Sequence, residues 1–323
     1  MKHLVLNSFG LFLGLKSERL IVYKNKEIIK EIALKSIKTI HINSPGISLS
    51  SDLVFACSLR GIKVFFQNFD SFCATHSLYE HKGVNVLRQQ FNSENNGKAI
   101  NLAKEFIIGK IKNQRATILY FTRNKTLPEK FKILNYLNGA IYTLKHDIKL
   151  NKDKIFGIEG SVASAYFEFL RTQNLLPASF WVRTKRNSDE ITNKALNYGY
   201  AILLNIIYKS VINAGLNPYF GVLHTMRSSK PSLVLDIMEE YRSFVVDRNI
   251  IKIRANLKDD FSQDIKKIIA TNILNSLGKR LIYNHSKLSL ESIIQRQIYK
   301  ISAFYAKMTK NINHTFLGGK CNI

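Results

Sequence analysis

The 23 acidic residues of this sequence are outnumbered by 48 lysines and arginines. Three of these scarce acids, Asp236, Glu239 and Glu240, gather in SLVLDIMEEYRSFVV, a few residues after His224 in FGVLHTMRSSK. On a helix Asp236 is one turn from both glutamates, so their side chains can meet. Carboxylates at this spacing repel unless a cation sits among them. Two readings are open. One is a solvated polar face opposite an apolar stripe of Val234, Ile237, Met238, Tyr241 and Val245, with Ser232 as N-cap. The other is a divalent-cation site, with His224 folded back over the carboxylates across a short basic turn.

A second acidic position is Glu159 in IFGIEGSVASAYFEFL. It reads as an acid at the start of an apolar helix, where the helix dipole favours negative charge, or as a further ligand. Glu168 in the same segment reads as a surface residue. The other histidines (His3, His41, His76, His81, His146, His285, His314) lack a carboxylate-rich neighbourhood and read as structural or surface groups.

Charge narrows the partner. A formal net charge of +25 exceeds what solubility needs and points to a polyanion, nucleic acid above all, because each phosphate contact releases counterions. Basic residues near the acids are candidates for holding a DNA backbone: Arg183, Lys185 and Arg186 in WVRTKRNSDE, and Arg227 and Lys230 beside His224. Each is equally readable as part of a solvated loop. Tyr166 and Tyr200 read as core residues, with substrate contact as the lesser alternative. Cys57, Cys73 and Cys321 show no metal spacing, and their odd count argues against a disulfide framework. MKHLVLNSFG has too short an apolar run for a signal peptide, and ALNYGYAILLNIIY is too short to span a membrane. The expectation is a soluble, cytoplasmic protein with no membrane partner.

The elements that must position these residues fall into two styles. Up to about residue 80 the pattern is β-rich. RLIVY and EIIKEIAL flank a polar KNKE turn, and IKTIHI, IKVFFQ and SFCATHSL read as strands. SSDLVFACSLRG is a short helix, capped by Ser50 or Ser51 and ended by Gly61. From Val84 the period is helical. AINLAKEFIIGKIKNQR, FKILNYLNGAIYTLKH and NKALNYGYAILLNIIYKSVINAG are its clearest helices, the last with Gly215 past its end and Pro218 beyond, and two or three more helices fill 258–310. The fold class expected is α+β: a small N-terminal β-rich, sandwich-like domain (1–82) and a larger all-α domain (83–323).

Together these segments resemble a known family. GIEGSVASAYF is similar to the glutamate motif of the CRISPR-associated integrase-nuclease family, Cas-one. AGLNPYFGVLHT resembles its histidine motif, and SLVLDIMEEYRSFVVDR its acidic motif, in the same order. GKIKNQR and SLSSDLVFACSLRGIKVFF resemble further stretches of that family, so the likeness covers nearly the whole chain. It implies Glu159, His224 and Glu239 as catalytic metal ligands for Mg²⁺ or Mn²⁺, Asp236 as a supporting acid, and Glu240 as a spare. One departure is visible: the acidic motif ends in YRS where the family has an aromatic residue, Arg and Pro. The implied activity is a prokaryotic DNA integrase and endonuclease. A 3′-hydroxyl of captured foreign DNA (a prespacer) is joined to the CRISPR repeat by transesterification, in antiviral defence. The implied partners are double-stranded DNA, a second copy of the chain contacted through the β domain, and a small second subunit, with four catalytic chains to two of the latter. The alternatives are a transposon-type integrase, a stand-alone structure-specific nuclease and a catalytically silent DNA-binding scaffold.

Overall fold

The computed structural model describes residues 2–67, 72–74, 83–95, 97–124, 126–184, 189–228, 230–257 and 260–306. Backbone contacts divide the chain into two units, Met1–Val84 and Asn85–Ile323.

The first unit contains strands β1 (Lys2–Leu6), β2 (Leu11–Lys16), β3 (Arg19–Lys24), β4 (Glu27–Ala33), β5 (Ile37–Ile42) and β6 (Ser48–Leu49), then helix α1 (Ser51–Leu59), β7 (Lys63–Gln67) and β8 (Phe72–Ala74). Two sheets form, ordered β1-β5-β7-β8 and β4-β3-β2-β6. The first is parallel across β1, β5 and β7, and the second is antiparallel across β2, β3 and β4. Leu4, Leu13, Leu20, Val22, Ile40 and Val64 from the two sheets share one core with Leu53 and Cys57 of α1. Ser50 caps α1 by accepting from the Leu53 N–H at 3.3 Å, and Gly61 follows it with φ +67°. The Asn25–Lys26 turn between β3 and β4 has positive φ at both residues, which matches the twist of a two-residue hairpin.

The second unit contains α2 (Gly83–Phe91), α3 (Lys98–Phe121), α4 (Pro128–His146), α5 (Lys152–Thr172), α6 (Ile191–Asn213) and α7 (Ser232–Tyr241). A π-helical turn (Arg242–Asp247) leads into α8 (Arg248–Lys252), followed by α9 (Gln263–Gly278), strands β9 (Arg280–Tyr283) and β10 (Ser286–Ser289), and α10 (Leu290–Tyr305). It is mostly rather than wholly helical, because β9 and β10 pair as an antiparallel hairpin between α9 and α10. No helix among the described residues is long and apolar enough to cross a membrane.

Helices α3, α6 and α7 make the centre of this unit. Helix α3 buries Ala103, Phe106, Ile107 and Ile111, and α6 buries Leu196, Leu203 and Ile207. Helix α7 packs against both. Its acid-bearing side is not solvated: Asp236, Glu239 and Glu240 are all buried, so the reading of a polar surface face is corrected. A helix enclosed on every side has no water to turn its acids toward, and each must find partners inside. Pro231, not Ser232, is the N-cap of α7. The Ser232 hydroxyl is used elsewhere, accepting from Gly221 N–H at 3.0 Å and donating to the Tyr219 carbonyl. Helix α5 starts at Lys152, where Asn151 caps it by accepting from the Lys154 N–H. Glu159 therefore lies two turns inside α5, and the reading of a helix-start acid is corrected too.

Candidate active site

Asp236 organises the loop that carries His224. Its Oδ2 accepts from the N–H groups of Val222 and Leu223 at 2.6 and 3.0 Å. Its Oδ1 accepts from the His224 N–H at 2.8 Å and faces His224 Nδ1 at 2.7 Å. The loop can come this close because residue 221 is glycine: a Cβ there would stand 2.6 Å from Asp236 Oδ2. Asp236 thus holds the imidazole by Nδ1 and leaves Nε2 as the nitrogen able to meet a ligand. The ring edge packs on Phe156 of α5, one turn before Glu159, at a centroid distance of 5.8 Å.

Glu159 on α5 and Glu239 on α7 meet at one point, and that point carries a cation. The ammonium of Lys110, on α3, pairs with Glu159 Oε1 and with Glu239 Oε2, the latter at 2.6 Å. Arg242 pairs with the other Glu239 oxygen at 3.0 Å. Burial pushes the Glu239 carboxyl up, but Arg242 and Lys110 outweigh it and bring its pKa down to about 2. Burial alone lowers the Lys110 ammonium's pKa, and Glu239 and Glu159 reverse that and hold it above its ordinary value. The π-helical turn directly after α7 begins with Arg242 and Ser243, inserting an extra residue at the site.

Glu240 faces away from this cluster. Its side chain lies against Gly109 of α3, where an added Cβ would stand 2.8 Å from Glu240 Cγ. Burial, reinforced by Glu105, raises its pKa to about 8, so Glu240 is a neutral acid at lower pH. The sign follows: the unfolded carboxyl ionises near 4.3, so stability is complete below that pH and falls as pH rises toward about 8. Glu240→Gln is expected to flatten that fall and to gain roughly 3 kcal/mol over the parent near neutral pH. Urea unfolding of both proteins across the acid-to-alkaline range checks this, and parallel stability curves would refute a raised Glu240.

The sequence-predicted residues are thus partly assembled. Glu159 and Glu239 share a cation position, and Asp236 supports His224. Among the described residues no three of His, Cys, Asp and Glu are gathered closely enough to hold a metal ion. Lys110 and Arg242 supply the neutralising charge instead. In chemistry the donors still suit Mg²⁺ or Mn²⁺: two carboxyl groups converge on one cationic point, with an oriented imidazole on the neighbouring loop. Arg183 is committed within the protein, donating to Asn193 Oδ1 at 2.9 Å and Asn197 Oδ1 at 2.6 Å. Arg227 and Lys230 face each other across a short bridge beside His224, with Arg227 exposed. Lys185 and Arg186 lie outside the described residues. Tyr166 is fully buried, and Tyr200 donates to Asp247 at 2.6 Å while carrying Arg242 over its ring at 4.5 Å. Sequence reading missed Lys110 and Arg242. The signal for Lys110 was its place between Phe106, Ile107 and Ile111 on the buried side of α3.

Comparison with known proteins is decisive on ancestry. The family model for CRISPR associated protein Cas1 matches residues 4–287. The chain belongs to the Cas1 family. It is 43% identical over 317 residues to a CRISPR-associated endonuclease Cas1 of Francisella tularensis subsp. novicida, covering 95% of this chain and 96% of that one. Among solved structures it resembles a casposase bound to integration product, with a TM-score of 0.70 and 19% identity over 97% of each chain. It equally resembles a chain of a partial Cas6-RT-Cas1–Cas2 complex, with a TM-score of 0.70 and 20% identity over 98% of this chain and 99% of that one. At such identities the Cas1 and casposase structures speak to the fold, which this chain shares.

Proposed function

We propose that this Cas1-family chain is a divalent-metal-dependent DNA integrase that joins 3′-hydroxyl ends of captured foreign DNA into a CRISPR array. One observation carries the reading: two carboxylates, the buried Glu239 and the half-buried Glu159, are held around a single cation in a chain of net charge +25. A protein this basic attracts DNA, but bare carboxylates repel it, so the pair serves DNA chemistry only with a cation between them. The endonuclease name of the Francisella relative and the integration product of the casposase support the same chemistry.

Glu159, Glu239 and His224 would hold Mg²⁺ or Mn²⁺, which supplies Lewis-acid polarisation of the scissile phosphate. His224 ligates only when neutral, and Asp236 keeps its proton on Nδ1. Arg242 and Lys110 keep the surroundings of the phosphate positive. The 3′-hydroxyl oxygen forms a new bond to phosphorus and gives up its proton to solvent, the old P–O3′ bond breaks, and the released O3′ takes up a proton from solvent, so one phosphodiester and one 3′-hydroxyl replace another. Water in place of the hydroxyl makes the same site a nuclease, as the relative's name suggests. The partners proposed are double-stranded DNA, a second copy of the chain through the β-rich unit, and a Cas2-type subunit, named also in the similar Cas6-RT-Cas1–Cas2 complex; the proposed ratio is four catalytic chains to two of that subunit.

The test is a strand-transfer assay with a short duplex bearing free 3′-hydroxyls and a supercoiled plasmid carrying a repeat, with and without the small subunit. His224→Ala and Glu239→Ala are each expected to lower metal-dependent joining by about 100-fold or more. DNA binding with no joining under Mg²⁺ or Mn²⁺ would overturn the reading in favour of a scaffold.

A further inference from the structure

The loop that carries His224 is tied to α7 along much of its length. The Pro218 carbonyl accepts from the Leu233 N–H at 3.0 Å, and the Ser232 hydroxyl serves Tyr219 and Gly221. Asp236 takes the N–H groups of Val222, Leu223 and His224. A further anchor comes from outside α7. Gln90, in the last turn of α2, donates from Nε2 to the carbonyls of Asn217 at 2.8 Å and Phe220 at 3.0 Å. Its Oε1 accepts from the Asn217 N–H at 3.0 Å. The neighbouring Phe91 sets its ring against that of Phe220 at a centroid distance of 4.2 Å.

Gln90 is 2% exposed, whereas Tyr219 and Phe220 lie at the surface. Water is the ordinary partner of a carbonyl in such a loop. Sinking a glutamine to serve it instead gives up hydration and side-chain freedom, which neutral hydrogen bonds repay only in part. What the buried amide adds is position. A primary amide offers two hydrogens and an acceptor in one plane, which neither a carboxylate nor a guanidinium can do, and asparagine is shorter by a methylene. Asp236 can hold the ring by Nδ1 wherever the loop goes. A second tie at Asn217 and Phe220 leaves the loop one place.

We propose that Gln90 is a positioning residue for His224: it fixes the start of the loop to α2, so that the imidazole held by Asp236 faces Glu239 and Glu159 from one direction. The proposal rests on the reading of His224 as a metal ligand.

Gln90→Met keeps the length of the side chain and removes all three bonds. Two measurements on the full chain decide the matter. The first is amide hydrogen exchange over residues 221–224 without metal, where the N–H groups bound to Ser232 and Asp236 are expected to exchange about 10-fold faster in the variant. The second is Mn²⁺ affinity, read from the electron spin resonance of the free ion, in the parent, Gln90→Met, His224→Ala and the double variant. Gln90→Met should weaken Mn²⁺ binding by about 10-fold when His224 is present and not at all in the His224→Ala chain. An anchor without bearing on the ring would instead lower the unfolding temperature in both backgrounds and leave the affinity of the folded protein alone. Gln90→Asn, which keeps both kinds of amide atom on a shorter stem, takes the place of Gln90→Met if the latter does not fold. Unchanged exchange over 221–224 overturns the proposal. So does a parental Mn²⁺ affinity, or one that falls equally with and without His224. The metal reading fails separately: a parental Mn²⁺ affinity in His224→Ala removes His224 as a ligand, and Gln90 then stands or falls as the loop's positioning residue on the exchange alone.

Discussion

Lys110→Met is expected to unfold at a temperature lower by on the order of 10 °C in chelator, and to regain much of that loss when Mn²⁺ is added. The side chain keeps its length and loses its charge. Lys110, Glu159 and Glu239 are 7%, 15% and 6% exposed as side chains, so solvent cannot stand in for the missing ammonium. Removing one partner of a buried ion pair costs about 3–5 kcal/mol, because the remaining charges stay buried and uncompensated. Here Arg242 still pairs with Glu239, which puts the expected cost near the lower end, about 3 kcal/mol. For a chain of this size each kcal/mol moves the midpoint by about 2–4 °C. A divalent ion that binds only the folded chain returns RT ln(1 + [L]/Kd), about 2.7 kcal/mol at a hundredfold excess over Kd. The parent should respond less to Mn²⁺, since its own ammonium competes for the same two carboxylates. Thermal scans of both proteins in chelator and in Mn²⁺ decide the matter. If the variant unfolds with the parent and ignores the metal, the carboxylates do not depend on a cation, and the candidate metal site loses its physical basis.

That dependence explains which parts of the site the sequence reveals. Periodicity places the apolar faces of α3, α6 and α7 well, because burial of a stripe leaves a repeating trace. It misplaces the acids of α7, because periodicity sorts residues relative to one another and cannot see a second layer covering the polar side. The covering layer is α3, whose Gly109 gives Glu240 room and whose Lys110 meets Glu239. Both belong to GKIKNQR, about 130 residues upstream, and only the fold joins them. A lysine among Phe106, Ile107 and Ile111 was readable as an oddity, though not as a partner of Glu239. Glu159 was placed at a helix start because Gly157 and Gly160 look like breakers. The true start is the polar Asn151, whose cap leaves no apolar trace. Local turn chemistry behaves the same way. KNKE announces its hairpin with an asparagine, and Ser50 announces α1. Strands β1 and β2 are absent from the sequence reading; for β2 the reason is that Ser17–Glu18, between it and β3, takes positive φ without the Gly, Asn or Asp that usually signals it. The β9–β10 hairpin, turning at Asn284–His285, is hidden inside a helical stretch.

His224 shows how family likeness and geometry divide the work. The resemblance marks it as a ligand. The structure adds the reason it is aimed, which is Asp236, and that reason is testable. Asp236→Asn keeps the shape of the side chain and exchanges one acceptor for an amine. Every group facing the carboxylate is a donor: three backbone N–H groups and His224 Nδ1. Whichever way the amide is turned, an amine meets donors, and two of the four lose their acceptor. Each unmet buried donor costs about 1–3 kcal/mol, so the loop before α7 should lose roughly 2–6 kcal/mol of its anchoring. If the amine faces the ring, Nδ1 must accept instead, the proton moves to Nε2, and Nε2 can no longer ligate a metal. Loss of such an orienting partner typically lowers metal affinity or activity by about 10–100-fold. A structural role alone would lower stability and leave the surviving folded fraction fully active. The positioning role predicts more: at temperatures where the variant is folded, Mn²⁺ affinity and strand joining fall together, and raising the Mn²⁺ concentration restores part of the joining. Joining at the parental rate by folded Asp236→Asn, with unaltered Mn²⁺ affinity, would reduce Asp236 to a loop anchor and leave the aim of His224 to Phe156 and the α5 face alone.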